Sequence, residues 1–147
     1  MDKSQIAVNY FKSGANCAQA VLCAFAKECG LTESEAMRLA SGFGGGMGRL
    51  REVCGAVSGM ILAANILKGN SDPSDKAAKD AHYALIQELA SEFKTENNSI
   101  ICRELLNLGG SSPDTPISEA RTAEYYKKRP CAELVAQAAD IAAGKLL

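Results

Sequence analysis

The sequence predicts a compact, single-domain all-α bundle of about seven or eight helices over residues 1–147, and three observations lead to that prediction. Alanine, the best helix-forming residue, is abundant, whereas β-branched residues are sparse. Glycine, proline and capping residues divide the chain into segments of helical length. No segment alternates apolar and polar side chains as a half-buried strand would. A chain of 147 residues has the usual size of one domain and can bury a core without disulfides.

Capping residues place the helices of the first half. Asn16 is an N-cap candidate, and Gly30 follows the end of the helix that Asn16 begins. Thr32 and Glu35 form a capping box for the next helix. A glycine-rich loop over 42–48 precedes the fourth helix. The predicted helices cover about 4–12, 16–29, 32–41 and 53–68.

The second half is more polar. Pro73 precedes a helix whose apolar side chains recur every three or four residues, with charges opposite. Ser99 can cap a short helix, residues 109–116 form a turn-rich linker, and Pro130 opens the last helix. The predicted helices cover about 73–94, 100–108, 117–128 and 131–143.

Two helices are predicted to form the centre of the bundle. The segments 16–29 and 53–68 are apolar on nearly every face, which is typical of helices inside a core. The charged helices over 73–94 and 117–128 are expected outside. Gly55 and Gly59 are four residues apart, so another backbone can approach that face of the helix closely.

Charge and hydropathy exclude two classes of partner. A net charge of −1 does not provide the basic surface that nucleic-acid binding needs. The longest apolar run, 55–67, is shorter than the roughly 20 residues of a membrane-spanning helix. The first residues have no signal-peptide pattern. We therefore expect a cytoplasmic protein that binds neither nucleic acid nor a membrane.

Six cysteines are many for a chain in a reducing compartment, where cysteine enrichment favours metal or redox chemistry over static disulfides. The alternative is that they are small buried core residues. No two are three residues apart, which excludes a thioredoxin-type motif, a zinc ribbon and c-type haem attachment. Cys17, Cys23 and Cys29 are six apart, so on a helix each points about 240° from the previous one. Only one of these three can readily join a single cluster.

Four cysteines are predicted at helix N-termini, where the helix dipole and unpaired N–H groups lower the pKa of a thiol. Cys23 falls in mid-helix and Cys29 near a C-terminus, so both are expected to be inert. The other four could ligate zinc or an iron–sulfur cluster, or they could exchange a dithiol for a disulfide. Their spacing matches no local ligand motif. These candidates for catalysis and for metal binding are Cys17, Cys54, Cys102 and Cys131.

The glycine-rich loop is a candidate cofactor or anion site, because consecutive glycines allow backbone N–H groups to converge on a negative charge. Two other interpretations are a tightly packed connector and a loop whose amides reach the sulfur of Cys54. A G-x-G-x-x-G pattern after a strand is absent, which excludes a dinucleotide-binding turn. The candidate binding residues are Gly44, Gly45, Gly46, Gly48 and Arg49.

The sequence CGAVSG at 54–59 has the form CGAxxG and follows GFGGGMG at 42–48. With Cys17 before these segments and Cys102 and Cys131 after them, the chain resembles the C_GCAxxG_C_C family over nearly its whole length. The resemblance implies a redox or cluster-binding role. It implies that the four characteristic cysteines of the family correspond to the four candidates named above, Cys17, Cys54, Cys102 and Cys131. Cys23 and Cys29 are then additional cysteines outside the family pattern.

Three functions stay open. The first is a redox or electron-transfer protein whose four cysteines bind an iron–sulfur or zinc centre or exchange disulfides. The metal is slightly favoured here, because four convergent thiolates repel one another unless a cation neutralises them. The second is a thiol oxidoreductase acting on a protein or a small thiol, and the third is a noncatalytic helical interaction module. A redox partner protein or small thiol is the expected partner, and an oligomer is possible through the last helix.

Overall fold

The all-α prediction is confirmed by the computed structural model, which describes residues 1–109 and 114–147. Within those residues every regular element is helical, apart from one isolated antiparallel bridge between Val53 and Ile101. The helices are α1 Lys3–Lys12, α2 Cys17–Ala24, α3 Ala26–Cys29, α4 Glu33–Ala40, α5 Gly55–Lys68, α6 Lys76–Asn97, α7 Cys102–Leu105, α8 Ala123–Lys128 and α9 Cys131–Leu146.

Helix starts follow the predicted caps. The Asn16 side chain accepts a hydrogen bond from the Gln19 N–H, and the Gln19 side chain accepts one from the Asn16 N–H. Thr32 and Glu35 make the same reciprocal pair at the start of α4. These caps satisfy N–H groups that have no partner inside the helix, so the local sequence alone determines where α2 and α4 begin.

Three predicted boundaries are wrong. The helix expected over 16–29 is interrupted at Phe25, whose ring is fully buried and whose backbone ends α2 before α3 starts. Of the helix expected over 100–108, only Cys102–Leu105, which is α7, is helical. The helix expected over 117–128 begins at 123, because Thr122 caps the N–H of Tyr125 and Arg121 bonds to distant carbonyl groups. Part of the predicted linker, 110–113, lies outside the described residues.

The predicted central pair is confirmed. Helices α2 and α5 pack against each other, and α1 and α9 complete the core around them. Helix α6 buries only Leu89 and Phe93, and no residue of α8 is buried, so both lie at the periphery as expected. The apolar stripe of α9 packs inside the chain's own core, and an oligomer through this helix stays a prediction. This stripe contains Leu134, Val135, Ala138 and Ala142.

Gly59 determines how closely α5 approaches α2. A Cβ atom at Gly59 would lie 2.6 Å from the carbonyl oxygen of Ala18 and 2.9 Å from the Cβ of Val21. Both distances are below van der Waals contact, and the nearer atom is backbone, which cannot move aside without shifting α2. The absence of a side chain at Gly59 therefore fixes the position of α2, whose first residue is Cys17.

Gly59→Ala is expected to lower the free energy of unfolding by about 1–3 kcal/mol, as overpacked core substitutions do. Gly144→Ala is the matched control, because it also lies in a helix but a Cβ there meets nothing within 4 Å. The control should gain up to about 1 kcal/mol from helix propensity. Urea denaturation of both variants measures the two values. A stabilised Gly59→Ala variant would contradict the close packing of α2 on α5.

Of the helices in the described ranges, none combines the length and the apolar composition needed to cross a bilayer.

Candidate functional site

The four cysteines predicted to act together line one cavity of about 350 Å³. Each lies at the start of a helix: Cys17 opens α2, Cys54 is the N-cap of α5, Cys102 opens α7 and Cys131 opens α9. The bundle therefore brings four helix N-termini to a common space. The two extra cysteines are in α2 and at the end of α3, and neither lines this cavity.

The glycine after Cys54 brings α5 close to Cys17. A Cβ atom at Gly55 would lie 3.1 Å from the Cβ of Cys17 and 3.0 Å from the carbonyl oxygen of Phe43. A larger residue would have to displace the start of α2. In the CGAxxG motif the cysteine thus supplies one thiol of the cavity, and the glycine leaves space for the side chain of Cys17.

Backbone hydrogen bonds hold Cys54 and Cys102 on neighbouring segments. The Cys54 N–H donates to the carbonyl oxygen of Ile100 at 2.7 Å, and the Cys102 N–H donates to that of Glu52 at 2.6 Å. These two bonds flank the Val53–Ile101 bridge. Positions diagonal across such a bridge lie on the same face, so both cysteines face the cavity from one side.

Cys17 and Cys131 form a hydrogen-bonded pair of sulfurs. The Cys17 thiol donates to the Cys131 sulfur, and this bond lowers the pKa of Cys131 below the ordinary cysteine value. Arg129, Arg121 and Arg51 lower the pKa of Cys131 further, while burial opposes them. The same bond, together with burial, raises the pKa of Cys17. Within the pair, Cys131 is therefore the thiol that ionises more readily.

Burial decides the ionisation of the other two cavity thiols. It raises the pKa of Cys54 to about 12, although the N–H groups of Ala56 and Val57 favour the thiolate. It also raises the pKa of Cys102, although Arg51 Nη1 lies 3.6 Å from the Cys102 sulfur. The expectation that a helix N-terminus would make all four cysteines thiolates is therefore wrong for three of them. Desolvation outweighs the partial charge of the helix end at Cys54 and Cys102, and the hydrogen bond to Cys131, with desolvation, outweighs it at Cys17.

Two arginines of the loop region are held by one carboxylate. Asp114 accepts from Arg49 at 3.1 Å and from Arg51 at 2.9 Å. Arg49 Nε also donates to the carbonyl oxygen of Thr115 at 2.8 Å. This network fixes both guanidinium groups against the cavity, and it ties the segment after residue 113 to the glycine-rich loop.

Sequence reasoning missed two further cavity arginines. Arg129 makes an ion pair with Glu119. Arg121 lies 4.8 Å from the ring centroid of Tyr125 and donates to the carbonyl oxygens of Phe11 and Ala15. The short basic stretch at 125–129 suggests only surface packing. Arg129 is two residues before Cys131 in the sequence, and this short separation was the available signal that Arg129 lies near a thiol.

The glycine-rich loop makes a left-handed turn. Gly45, Gly46, Met47, Gly48 and Arg49 all have φ between 61° and 72°, a region that costs a residue with a side chain roughly 1–2 kcal/mol. A Cβ at Gly46 would lie 2.7 Å from both the Cys102 Cβ and the Glu52 nitrogen.

A Cβ at Gly44 would lie 2.6 Å from the Cβ of Asn16, the cap of α2. The glycines thus form a tightly packed connector, in which Gly46 leaves space for Cys102 and Gly44 leaves space for Asn16. All five predicted binding residues of this loop line the cavity, and anion binding by them stays a prediction. They are Gly44, Gly45, Gly46, Gly48 and Arg49.

The donor arrangement does not fit a metal centre. Across 1–109 and 114–147, no three or more His, Cys, Asp or Glu side chains are grouped so that they could hold a metal ion. All six cysteines are free thiols. The zinc or iron–sulfur centre expected on the four cavity cysteines gains no support from these positions, whereas a contacting pair of thiols is present.

A comparison with family models supports a redox role for this arrangement. The model described as "Putative redox-active protein (C_GCAxxG_C_C)" matches residues 15–144. The matched range contains all four cavity cysteines and the CGAVSG segment. No curated protein and no solved structure matches the chain.

Proposed function

Because this chain belongs to the C_GCAxxG_C_C family of redox-active proteins, we propose that it works by dithiol–disulfide exchange, with Cys131 as the attacking thiolate and Cys17 as the resolving thiol. One observation carries the proposal: the hydrogen bond from Cys17 to Cys131 lowers the pKa of Cys131 inside an accessible cavity. A thiolate is the reactive form of cysteine, and a contacting second thiol is what converts a mixed disulfide into an intramolecular one.

The exchange has two steps that balance. The Cys131 thiolate attacks one sulfur of a substrate disulfide, a Cys131–substrate disulfide forms, and the other substrate sulfur leaves as a thiolate. Cys17 then gives its proton to the substrate thiolate released in the first step and attacks the Cys131 sulfur, so that the second substrate half leaves as a thiolate and a Cys17–Cys131 disulfide remains. Two electrons pass from the protein to the substrate disulfide, which becomes one thiol and one thiolate. The reverse reaction oxidises a dithiol.

The charge state of the thiols favours dithiol–disulfide exchange over a metal centre on the four cysteines. The sequence-based preference for a metal assumed four thiolates that need a cation to neutralise them. Burial keeps Cys54 and Cys102 protonated, and no more than one thiol of the Cys17–Cys131 pair is ionised, because their hydrogen bond raises the pKa of Cys17. Arginine side chains already offset that charge, so the repulsion that favoured a metal is absent. The thiol oxidoreductase hypothesis is therefore the one that the site supports best.

The expected setting is a reducing compartment such as the cytoplasm. Six free thiols in one chain suit such an environment, where a disulfide forms only as a transient in a catalytic or sensing cycle. The oxidised partner would be a protein or a small disulfide.

Limited oxidation of the reduced protein with one equivalent of a small disulfide is expected to link Cys17 to Cys131 before any other pair. Cys17→Ser should instead accumulate a mixed disulfide on Cys131, because the resolving thiol is gone. Peptide mapping by mass spectrometry without reduction identifies both products. Cys29→Ser is the control and should behave as the unmodified chain, since Cys29 does not line the cavity. A first disulfide between other cysteines would overturn the assignment.

A further inference from the structure

The cavity beside Cys131 contains more positive than negative charge. Four arginines line it, and Glu119 is the carboxylate among its lining residues, with Asp114 close by on two of the arginines. The side chain of Arg51 is only 5% exposed, and those of Arg49 and Arg129 are 17% exposed. Such shielded charges act strongly on anything that enters the cavity, because water screens them little. The four are Arg49, Arg51, Arg121 and Arg129.

Ion pairing leaves two of these charges without a carboxylate. Glu119 pairs with Arg129, while Asp114 is shared between Arg49 and Arg51. Arg121 donates to backbone carbonyl oxygens and lies over aromatic rings, and no carboxylate in the described part of the chain pairs with it. The Cys131 thiolate offsets one of the two positive charges. One remains even when the protein is reduced, and two remain when Cys131 is in a disulfide.

The rest of the cavity wall is suited to a small organic molecule. Leucines and a proline form an apolar wall, and the ring of Tyr125 adds an aromatic surface. A volume of about 350 Å³ is at the lower end of small-molecule sites. The apolar lining residues are Leu105, Leu106, Pro116 and Leu134.

We propose that the oxidised substrate of this site is a small disulfide that carries carboxylate groups, bound by the arginines that surround Cys131. This inference rests on the dithiol exchange proposed above. A thiolate and an anionic substrate repel each other, so they meet readily only where fixed positive charge exceeds the charge of the thiolate. The same guanidinium groups stabilise the negative charge that moves from Cys131 to the leaving sulfur.

Three aliphatic disulfides of similar size but different charge test this inference. They are 3,3′-dithiodipropionate with two carboxylates, bis(2-hydroxyethyl) disulfide with none, and cystamine with two ammonium groups. The oxidation rate of the reduced protein at pH 7 and low salt is divided, for each disulfide, by the rate at which that disulfide oxidises free dithiothreitol. We expect the dicarboxylate to exceed the neutral disulfide by about tenfold, cystamine to be slowest, and the differences to shrink as salt is added.

A variant series separates charge from folding. Arg121→Gln should lower the dicarboxylate rate more than the rate with the neutral disulfide, so that the ratio of the two rates falls by about tenfold. Arg121→Lys keeps the charge and should retain most of the preference. Arg38→Gln removes an exposed arginine outside the cavity and should change neither rate. A fall in both rates for Arg121→Gln, with no change in their ratio, would show a structural role and overturn the binding role.

The outcomes distinguish this inference from the function on which it depends. Equal normalised rates for the three disulfides, or a preference for cystamine, would overturn the anionic substrate while leaving the exchange chemistry intact. If none of the three links Cys17 to Cys131, the proposed exchange itself fails.

Discussion

Cys131→Ser is expected to slow the oxidation of the reduced protein by small disulfides about a thousandfold or more. Cys131 is the one cavity thiol whose pKa lies below the ordinary cysteine value. The pKa of Cys54, raised to about 12, leaves roughly one molecule in 10⁵ ionised at that residue at pH 7. The hydrogen bond to Cys131, with burial, raises the pKa of Cys17, and burial raises that of Cys102. Removing Cys131 therefore removes the thiolate that reacts.

Iodoacetamide labelling followed by mass spectrometry measures the same property in the unmodified chain. Labelling of Cys131 should persist as the pH falls below the ordinary cysteine pKa, because the folded protein holds that proton less tightly. Labelling of Cys54 in the folded state should need strongly alkaline solution. Cys29→Ser serves as the control and should keep the fast phase. A Cys131→Ser chain that still reacts rapidly would show that another residue is the nucleophile.

Gly46→Ala is expected to lower the free energy of unfolding by about 2–5 kcal/mol. A left-handed backbone costs a residue with a side chain roughly 1–2 kcal/mol, and the φ of Gly46 is 71°. Overpacking adds about 1–3 kcal/mol, because the new Cβ would lie 2.7 Å from the Cys102 Cβ and 2.8 Å from the Arg51 Cα. Relief of this overlap would move Cys102 out of the cavity wall.

Gly48→Ala is the matched control for the conformational part of that effect. Gly48 has a φ of 61°, but the nearest atom to its Cβ position is the Gly42 carbonyl oxygen at 4.0 Å. This variant should lose only roughly 1–2 kcal/mol. Urea denaturation gives both values, and faster alkylation of Cys102 in Gly46→Ala reports its displacement. Equal losses in the two variants would show that contact between the loop and Cys102 contributes nothing.

Helix starts were predictable where a cap lies next to the helix in sequence. Asn16 and Thr32 each make reciprocal hydrogen bonds within three residues, so no distant part of the chain is needed to place them. All four candidate cysteines lie at helix N-termini as predicted, although α2 is the one helix among their four whose N-cap side chain accepts a hydrogen bond. The interruption at Phe25 was not predictable in this way, because burial of its ring depends on helices from other parts of the chain.

The arginines around the thiols could not be placed from the sequence, because their partners are distant along the chain. Arg121 bonds to carbonyl groups of Phe11 and Ala15, which are more than 100 residues away along the chain. Arg51 and Asp114 meet across 63 residues. No local pattern contains these pairs, so the positions of these arginines beside the thiols could not be predicted from the sequence.

By itself the sequence determined the helical class, the capped helix starts and the glycines that let α2 approach α5, because these depend on hydrogen bonds and close contacts of a few neighbouring residues. Only the tertiary structure decided which thiol is charged. Ionisation depends on burial and on charges brought from distant segments. Burial outweighs the local field of a helix end at Cys54 and Cys102, and the hydrogen bond to Cys131, with burial, outweighs it at Cys17. At Cys131 the same hydrogen bond and the arginines outweigh burial and favour the thiolate.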